Sequence, residues 1–246
     1  KPLGDLGIYE QSSPAEALER ARNADIIITN KVSITKPMMD QLPQLQYITV
    51  TATGVNVVDL DSAAQRKIPV SNVPEYGSRA VAQFVFAQIL RFCHRIARHD
   101  TAIRQGEWQA CGDFSFWESP QIELVDKTIG IIGFGKIGQE VGKIANAFGM
   151  KVLATTGRRR PDVSYGPFEY VDPEALMKRS DFISLHCPLT DSNLEIVNEA
   201  FLKKMKPSAY LINTARGGLV SESDLANGLE QGWIAGAALD VVSCEP

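Results

Sequence analysis

The stretch from residue 128 to residue 149, TIGIIGFGKIGQEVGKIANAFG, decides the fold of this chain. Its first part is an apolar run around Ile129, Ile131 and Ile132, which predicts one buried parallel strand. GFGKIG follows at once, and apolar residues at helical spacing then continue to Gly149, a typical helix stop. A strand, a glycine-rich turn and a helix in this order are typical of a dinucleotide-binding unit.

The three glycines of the turn have the G-x-G-x-x-G spacing, and we expect each to have its own task. Gly133 permits the tight turn, Gly135 lets a pyrophosphate approach the backbone, and Gly138 lets the helix and strand pack closely. The free amides at the start of the helix then face the phosphates. A tight turn without a ligand is the alternative, but the flanking strand and helix favour a bound dinucleotide.

The composition excludes several classes of protein. The net charge of the 246 residues is −4, with no basic face that would predict a nucleic-acid partner. No apolar run approaches the ~20 residues of a membrane span, and no signal-peptide pattern opens the chain, although it begins at Lys1 without a methionine. The four scattered cysteines and three histidines predict no metal site, and reduced thiols favour a cytoplasmic enzyme.

Strand and helix patterns alternate along the chain, which predicts an α/β fold with parallel, doubly wound sheets. The predicted strands cover 24–29, 45–51, 68–73, 128–132, 151–156, 181–186, 209–213 and 235–241. A single helical pattern begins at Ser78 and continues to Glu107, with more apolar residues than a surface helix needs. We interpret it as the bridge between a substrate lobe, 1–77, and an NAD(P)-binding lobe, 78–246, and as a dimer surface.

The residues after the second strand of the dinucleotide unit indicate which cofactor binds. In NAD enzymes an acidic residue stands there and bonds the ribose 2′-hydroxyl. Here Thr156 occupies that place, and no carboxylate comes before Asp162. Arg158, Arg159 and Arg160 would attract a 2′-phosphate. The sequence therefore predicts NADP(H) in preference to NAD(H), with a solvated basic loop as the alternative.

Two further stretches place charged residues at the carboxyl ends of strands, where open α/β sheets bind ligands. LINTARGGLV places Arg216 just after one strand, and AALDVVSCEP places Asp240 and Glu245 after the next. Each could also be an ordinary ion-pair or surface residue.

Together these stretches resemble the D-isomer-specific 2-hydroxyacid dehydrogenases. The matching pieces follow the family's order: TGVNVVDLDSA, NVPEYGSRAVAQ, GIIGFGKIGQ, SDFISLHCPLT, INTARGGLV and GAALDVVSCEP. VPEYG and DFSFWESPQIEL are similar to the glycerate dehydrogenase and hydroxypyruvate or glyoxylate reductase branch, and TGR resembles its NADPH-using members. The resemblance implies a Rossmann-type dinucleotide-binding lobe and a smaller flavodoxin-like substrate lobe.

The resemblance also implies roles for residues. Arg216 would hold the substrate carboxylate and polarise its carbonyl, and Glu245 would raise the pKa of a histidine that transfers the proton. Hydride would pass between the nicotinamide and the substrate's C2. The backbone amides of Thr53, Gly54 and Val55 would bind the carboxylate from the other lobe. The implied cofactor contacts, besides the glycines, are Lys136, Ile137, Cys187, Pro188, Thr214, Ala215 and Asp240.

The sequence departs from the family at its ends. The family's histidine lies beyond the glutamate, whereas this sequence stops at Pro246. His94 and His99 fall in the linking helix, and His186 ends a strand at a position that is not the acid–base position. We therefore expect a fragment that is incomplete at both ends, without the family's opening strand and its C-terminal return.

The prediction is a cytoplasmic NADP(H)-preferring reductase of a small 2-oxo acid, hydroxypyruvate or glyoxylate, or the reverse reaction. It would act as a homodimer through the Ser78 to Glu107 helix and the loop around Trp117, whose aromatic residues would close over the substrate or form dimer core. One alternative is a non-catalytic, cofactor-sensing protein similar to the corepressors that share the fold. Another is a formate- or phosphite-type oxidoreductase.

Overall fold

A computed structural model describes residues 4–74, 76–157 and 161–244 of the chain. The chain divides into two compact units, residues 1–77 and residues 78–246. Both contain parallel sheets, and a helix separates every pair of successive strands except β5 and β6, so the predicted α/β class is confirmed.

The first unit contains a three-stranded parallel sheet with the order β1-β2-β3. Pro69 directly precedes the edge strand β3, a position where its missing amide donor is tolerated. Helix α1 begins with a capping box in which Ser13 accepts the Glu16 amide and the Glu16 carboxylate accepts the Ser13 amide. The elements are α1 (Pro14–Ala21), β1 (Ile26–Thr29), α2 (Lys36–Met39), β2 (Tyr47–Val50), α3 (Leu60–Gln65) and β3 (Val70–Asn72).

Strand β1 is less buried than its run of isoleucines predicts. Ile26 and Ile28 are 57% and 58% exposed, whereas Thr29 is buried. Because successive side chains of a strand point to opposite faces, Ile26 and Ile28 lie together on the face away from the core of this unit. The isoleucine run of β1 is therefore buried on only one of its two faces.

The second unit contains a six-stranded parallel sheet with the order β6-β5-β4-β7-β8-β9. Counted from its own first strand, this is the 3-2-1-4-5-6 order of a Rossmann sheet, and the order reverses between β4 and β7. The predicted Rossmann-type lobe is therefore confirmed. The strands are β4 (Thr128–Ile132), β5 (Lys151–Thr155), β6 (Phe168–Tyr170), β7 (Phe182–Leu185), β8 (Tyr210–Asn213) and β9 (Gly236–Leu239).

Helices cover both faces of this sheet and give it two apolar cores. On one face Ile131 packs in a cluster with Val85 and Val141, and on the other Ile183 packs with Leu176. In the described residues no helix is both long and apolar enough to cross a membrane. The helices are α4 (Ser78–His94), α5 (Ile96–Arg104), α6 (Glu107–Cys111), α7 (Lys136–Ala147), α8 (Pro173–Arg179), α9 (Glu199–Leu202) and α10 (Glu222–Glu230).

The predicted single helix from Ser78 to Glu107 was wrong, because α4, α5 and α6 are three separate helices. Arg95 between α4 and α5 has φ 44° and ψ 43°, a left-handed conformation that ends a helix. The carbonyl of Cys93 accepts the amide of Ile122, 3.2 Å away, in place of a helical partner. Gly106, with φ 84°, separates α5 from α6.

The sequence pattern did not predict β6. This strand has only three residues and lies at the edge of the sheet. The amide of Val152 bonds to the carbonyl of Pro167 at 3.0 Å, and the amide of Val171 bonds to that of Ala154 at 3.1 Å. The pairing with β5 therefore defines this strand, which is too short to show a period of its own.

Candidate active site

Five strands of the second sheet end at the same level. Ile132 pairs with Thr155 on one side and with Leu185 on the other, and Leu185 pairs with Asn213, which pairs with Leu239. The first residue after each strand therefore belongs to one row along the carboxyl edge of the sheet. In spatial order the row contains Thr156, Gly133, His186, Thr214 and Asp240.

Gly133 lies at the point where the strand order reverses, and its position admits no other residue. Its φ is 96°, and a Cβ there would lie 2.5 Å from the amide nitrogen of Cys187 and from the carbonyl carbon of His186. The missing side chain thus lets the turn after β4 touch the end of β7. In open α/β sheets a ligand crevice forms at this reversal of order.

The other two glycines have contrasting surroundings. A Cβ on Gly138 would overlap the carbonyl oxygen of Gly133, so this glycine permits close packing of helix on strand. A Cβ on Gly135, the N-cap of α7, would have no heavy atom within 4 Å. Gly135 therefore faces open space beside the first amides of α7, contributed by Lys136 and Ile137. An anion such as a pyrophosphate fits this place.

The loop after β8 is held by the side chain of Asn213, which the sequence motifs did not predict as a site residue. Asn213 is fully buried, and its Nδ2 donates to the carbonyl of Arg216 at 2.9 Å. Its Oδ1 accepts the amide of Ala215 at 3.0 Å. The Arg216 side chain is exposed, and its Nη1 donates to the carbonyl of Ala215 at 2.7 Å. A polar residue that ends an apolar strand was the signal for Asn213.

Thr214, the next residue in the row, has a buried hydroxyl without a hydrogen-bond partner in the described residues. Leaving a buried hydroxyl unpaired costs about 1–3 kcal/mol. A ligand with a hydrogen-bonding group could satisfy it. Together with the open space at Gly135, this hydroxyl fits a dinucleotide lying along the carboxyl edge of the sheet.

The segment after β9 is fixed at two points. The amide of Asp240 donates to the carbonyl of Asn213 at 2.9 Å, and the amide of Ser243 donates to a carboxylate oxygen of Glu222 at 2.6 Å. The bond from Ser243 lowers the pKa of Glu222. This segment leads to Glu245, which lies outside the described residues.

The segment after β7 contains a neutral histidine. His186 lies 2.8 Å from the hydroxyl of Ser184, and burial lowers the pKa of His186 to about 4. The imidazole is therefore uncharged near pH 7. Burial also raises the pKa of the Cys187 thiol, and Asn193 bonds the carbonyl of Pro188 at 2.8 Å.

The other two histidines hold a loop. His94 bonds Gln121 at 3.1 Å, and His99 accepts the amide of Glu118 at 3.0 Å while bonding the carbonyl of Arg95 at 3.1 Å. Both histidines therefore attach the 117–122 segment to α4 and α5. Neither belongs to the row of residues at the strand ends.

The remaining predicted site residues fall in three places. Thr156 is half-buried and directly follows β5, whereas Arg158 and Arg159 lie outside the described residues. In the first unit, the carbonyl of Thr53 accepts a bond from Asn72 at 2.8 Å. Gly54 and Val55 follow in the same loop after β2. In the part of the chain that the structure describes, no group of three histidine, cysteine or carboxylate side chains could hold a metal ion.

Residues 86–246 match the family model of the D-isomer specific 2-hydroxyacid dehydrogenase NAD binding domain. The chain therefore belongs to the D-isomer-specific 2-hydroxyacid dehydrogenase family, as its motifs predicted, and its cofactor is a pyridine nucleotide.

Several relatives of this chain have names that state an activity. The chain is 41% identical to the hydroxypyruvate reductase of Blautia hydrogenotrophica, over 99% of this chain and 77% of the relative. It is 40% identical to the glyoxylate reductase of Thermococcus litoralis, over 93% and 70%, and 39% identical to the glycerate dehydrogenase of Methylorubrum extorquens, over 97% and 74%.

Two solved structures are also similar. An acyclic imino acid reductase in complex with NADPH and D-Arg has a TM-score of 0.86 and 38% identity, covering 97% of this chain and 75% of that one. A D-lactate dehydrogenase from Aquifex aeolicus with NAD and lactic acid has a TM-score of 0.82 and 32% identity, covering 92% and 66%. Similar proteins thus bind either NADPH or NAD.

Proposed function

We propose that this protein reduces hydroxypyruvate or glyoxylate to the corresponding 2-hydroxy acid, or catalyses the reverse reaction, with NADP(H) preferred. The observation that carries the proposal is that Asn213 holds the backbone of the loop containing Arg216 at the carboxyl end of β8. Relatives named hydroxypyruvate reductase, glyoxylate reductase and glycerate dehydrogenase support this substrate class.

Arg216 binds the substrate in this proposal. Arg216 is exposed and lies in the loop that follows the carboxyl end of β8. A planar, permanently charged fork can bind a carboxylate through two hydrogen bonds and polarise the neighbouring carbonyl. The amides of Thr53, Gly54 and Val55 are proposed as further carboxylate donors.

The cofactor supplies the hydride, and the chain orients it. The first amides of α7 and the open side of Gly135 would hold the pyrophosphate. The residues after β7 and β8, with Asp240, would line the nicotinamide half. There the hydroxyl of Thr214, which has no partner in the described residues, can find one.

Proton transfer to the substrate oxygen is assigned to none of the three histidines. His186 is neutral near pH 7, and His94 and His99 bond the 117–122 segment. Glu245 keeps the role that the family resemblance implies, which is to raise the pKa of a general acid.

The substrate is tested by following cofactor oxidation by the complete gene product, with hydroxypyruvate, glyoxylate and pyruvate as substrates. We expect turnover of the first two, faster than turnover of pyruvate. Tight cofactor binding without turnover of any 2-oxo acid would contradict the proposal and favour the cofactor-sensing alternative. Oxidation of formate or phosphite with NAD(P)+ would instead favour the other enzyme class.

The cofactor preference is tested separately. Thr156 follows β5 at the position where an NAD enzyme has a carboxylate, and Arg158 and Arg159 are the proposed partners of the 2′-phosphate. The R158A/R159A variant should therefore lose roughly 10–100-fold in NADPH affinity, while its NADH affinity stays unchanged. R179A is the matched control, since Arg179 is an exposed arginine paired with Glu169 at 2.6 Å. Equal affinity of the parent for both cofactors, unaltered in R158A/R159A, would contradict the preference.

Reduction of an imino acid is a second candidate, favoured by the likeness to the imino acid reductase structure. An imine of a 2-oxo acid keeps the carboxylate that Arg216 would bind. Rates measured with and without a primary amine discriminate the two reactions. A rate that depends on the amine and is absent with the 2-oxo acid alone would replace the first proposal.

We also propose a cytoplasmic homodimer formed through α4, α5, α6 and the loop around Trp117. Ile96, Phe114 and Trp117 are 68%, 91% and 65% exposed, which leaves an unusual amount of apolar surface in this region. The described cysteines are free thiols, as is typical of a reducing compartment. A sedimentation mass of one chain at micromolar concentration would contradict the dimer, and recovery in a membrane or extracellular fraction would contradict the location.

A further inference from the structure

Asn213 joins three of the predicted site residues through both its side chain and its backbone. Its side chain bonds the amide of Ala215 and the carbonyl of Arg216, and its own carbonyl accepts the amide of Asp240. We propose that Asn213 is a positioning residue, which fixes the orientation of the Arg216 guanidinium toward the substrate carboxylate. This inference rests on the proposed function, since it gives Arg216 a substrate to bind.

The pattern of bonds explains how a buried side chain can orient an exposed one. The amide of Ala215 belongs to the peptide group that joins Thr214 to Ala215. The carbonyl of Arg216 belongs to the peptide group that joins Arg216 to Gly217. Asn213 holds both, so the peptide between them is fixed on either side. The carbonyl of that middle peptide, Ala215, accepts Nη1 of Arg216 at 2.7 Å.

The burial of Asn213 makes this arrangement the preferred one. The side chain has no exposed surface, and a buried amide that loses a partner cannot recover it from water. A path that moved the Ala215 amide or the Arg216 carbonyl away would remove a partner of Oδ1 or Nδ2. The backbone carbonyl of the same residue ties β9 to this position through Asp240, so the Arg216 loop and the end of β9 share one anchor.

The amide group has chemical requirements that other side chains do not meet. N213A removes both side-chain bonds. N213D keeps an acceptor for Ala215 but removes the donor to Arg216 and buries a charge. S180A is the matched control, because Ser180 is fully buried and its hydroxyl bonds Leu176 at 2.7 Å, at the other end of β7 from the site.

The experiment measures four quantities in the parent, N213A, N213D and S180A forms of the complete gene product. They are the hydrogen-exchange rate of the peptide containing Ala215, the cofactor affinity by fluorescence, and kcat and KM for hydroxypyruvate. We expect faster exchange and a fall in kcat/KM of roughly 10²-fold in N213A, since a small misplacement of a binding group has this effect. Any loss of cofactor affinity in N213A should be smaller than its loss in kcat/KM, and S180A should match the parent in cofactor affinity, kcat and KM.

The effect of N213A is also measured in the R216K variant. This comparison distinguishes a role in positioning Arg216 from a general loss of structure. In R216K the ammonium cannot reproduce the guanidinium fork, so adding N213A should lower kcat/KM much less than it does in the parent. An equal loss in both backgrounds, or N213A kinetics like those of S180A, would overturn the inference. If the parent turns over no 2-oxo acid, the proposed function fails, and unchanged exchange in N213A would separately overturn the anchoring role of Asn213.

Discussion

Gly217 lies so close to Val242 that no side chain fits between them. A Cβ on Gly217 would overlap the carbonyl oxygen of Val242 and lie 2.5 Å from the amide nitrogen of Ser243. The residue after Arg216 thus packs directly on the segment that leads to Glu245. Two parts of the proposed site, distant in sequence, are in backbone contact because one residue has no side chain.

G217A should therefore displace the segment after β9 and destabilise the protein. Overpacking of this kind costs about 1–3 kcal/mol, measured as the free energy of unfolding in denaturant. G218A is the control, because a Cβ there would first meet only the Leu189 side chain, 3.0 Å away and 40% exposed, which can move. Equal stability of G217A and G218A would contradict the contact.

Substitutions of two glycines in the turn should have different effects, one on folding and the other on cofactor binding. G133A combines a positive φ with overlap on the backbone of His186 and Cys187, so it should lower the free energy of unfolding by about 1–3 kcal/mol or more. G135A meets no atom within 4 Å, so it should fold like the parent and bind the cofactor more weakly. Parental cofactor affinity in G135A would argue against a pyrophosphate at this place.

The hydroxyl of Tyr165 packs against Gly142 of α7, in the space that a side chain at this position would fill. The hydroxyl of Tyr165 is buried without a partner in the described part of the chain, and burial raises the pKa of Tyr165 to about 12. G142A should therefore destabilise the parent by about 1–3 kcal/mol and should cost less when combined with Y165F. Additive effects of the two substitutions on the unfolding free energy would contradict this packing.

The neutral His186 predicts a dependence of stability on acid. Because its pKa in the folded protein is about 4, the unfolded state binds more protons between pH 6.5 and 4. The stabilisation is complete above pH 6.5 and is lost as pH falls toward 4. Lowering the pKa from 6.5 to about 4 corresponds to about 3.4 kcal/mol, and the measured loss should be smaller because His186 is only half-buried.

H186Q removes this titration, so its unfolding free energy should fall less than the parent's between pH 7 and pH 4.5. Parallel curves for the parent and H186Q would contradict the assignment.

Much of the second unit could be predicted because its strands are buried on both faces. Continuous apolar runs such as those around Ile131 and Ile183 mark such strands without a structure. The glycine turn was predictable because backbone geometry demands glycine at particular positions. Short β6 was not, since three residues show no period and its pairing with β5 decides it.

The other differences between the sequence predictions and the structure depend on contacts between residues distant in sequence. The break at Arg95 accompanies the bond from Ile122 to the carbonyl of Cys93, which no local pattern contains. Asn213 was missed because a polar residue at a strand end looks like an ordinary boundary. Only the paths of the Ala215 and Arg216 backbone show that both polar atoms of its amide have partners.

The most direct test of the account is the kcat/KM of R216K for hydroxypyruvate, measured with NADPH alongside the cofactor's own affinity. Lysine keeps the positive charge but loses the planar fork. We predict a fall of roughly 10²–10³-fold in kcat/KM, with cofactor affinity close to that of the parent. Parental kcat/KM in both R216K and R216A would contradict the claim that Arg216 binds and polarises a 2-oxo acid.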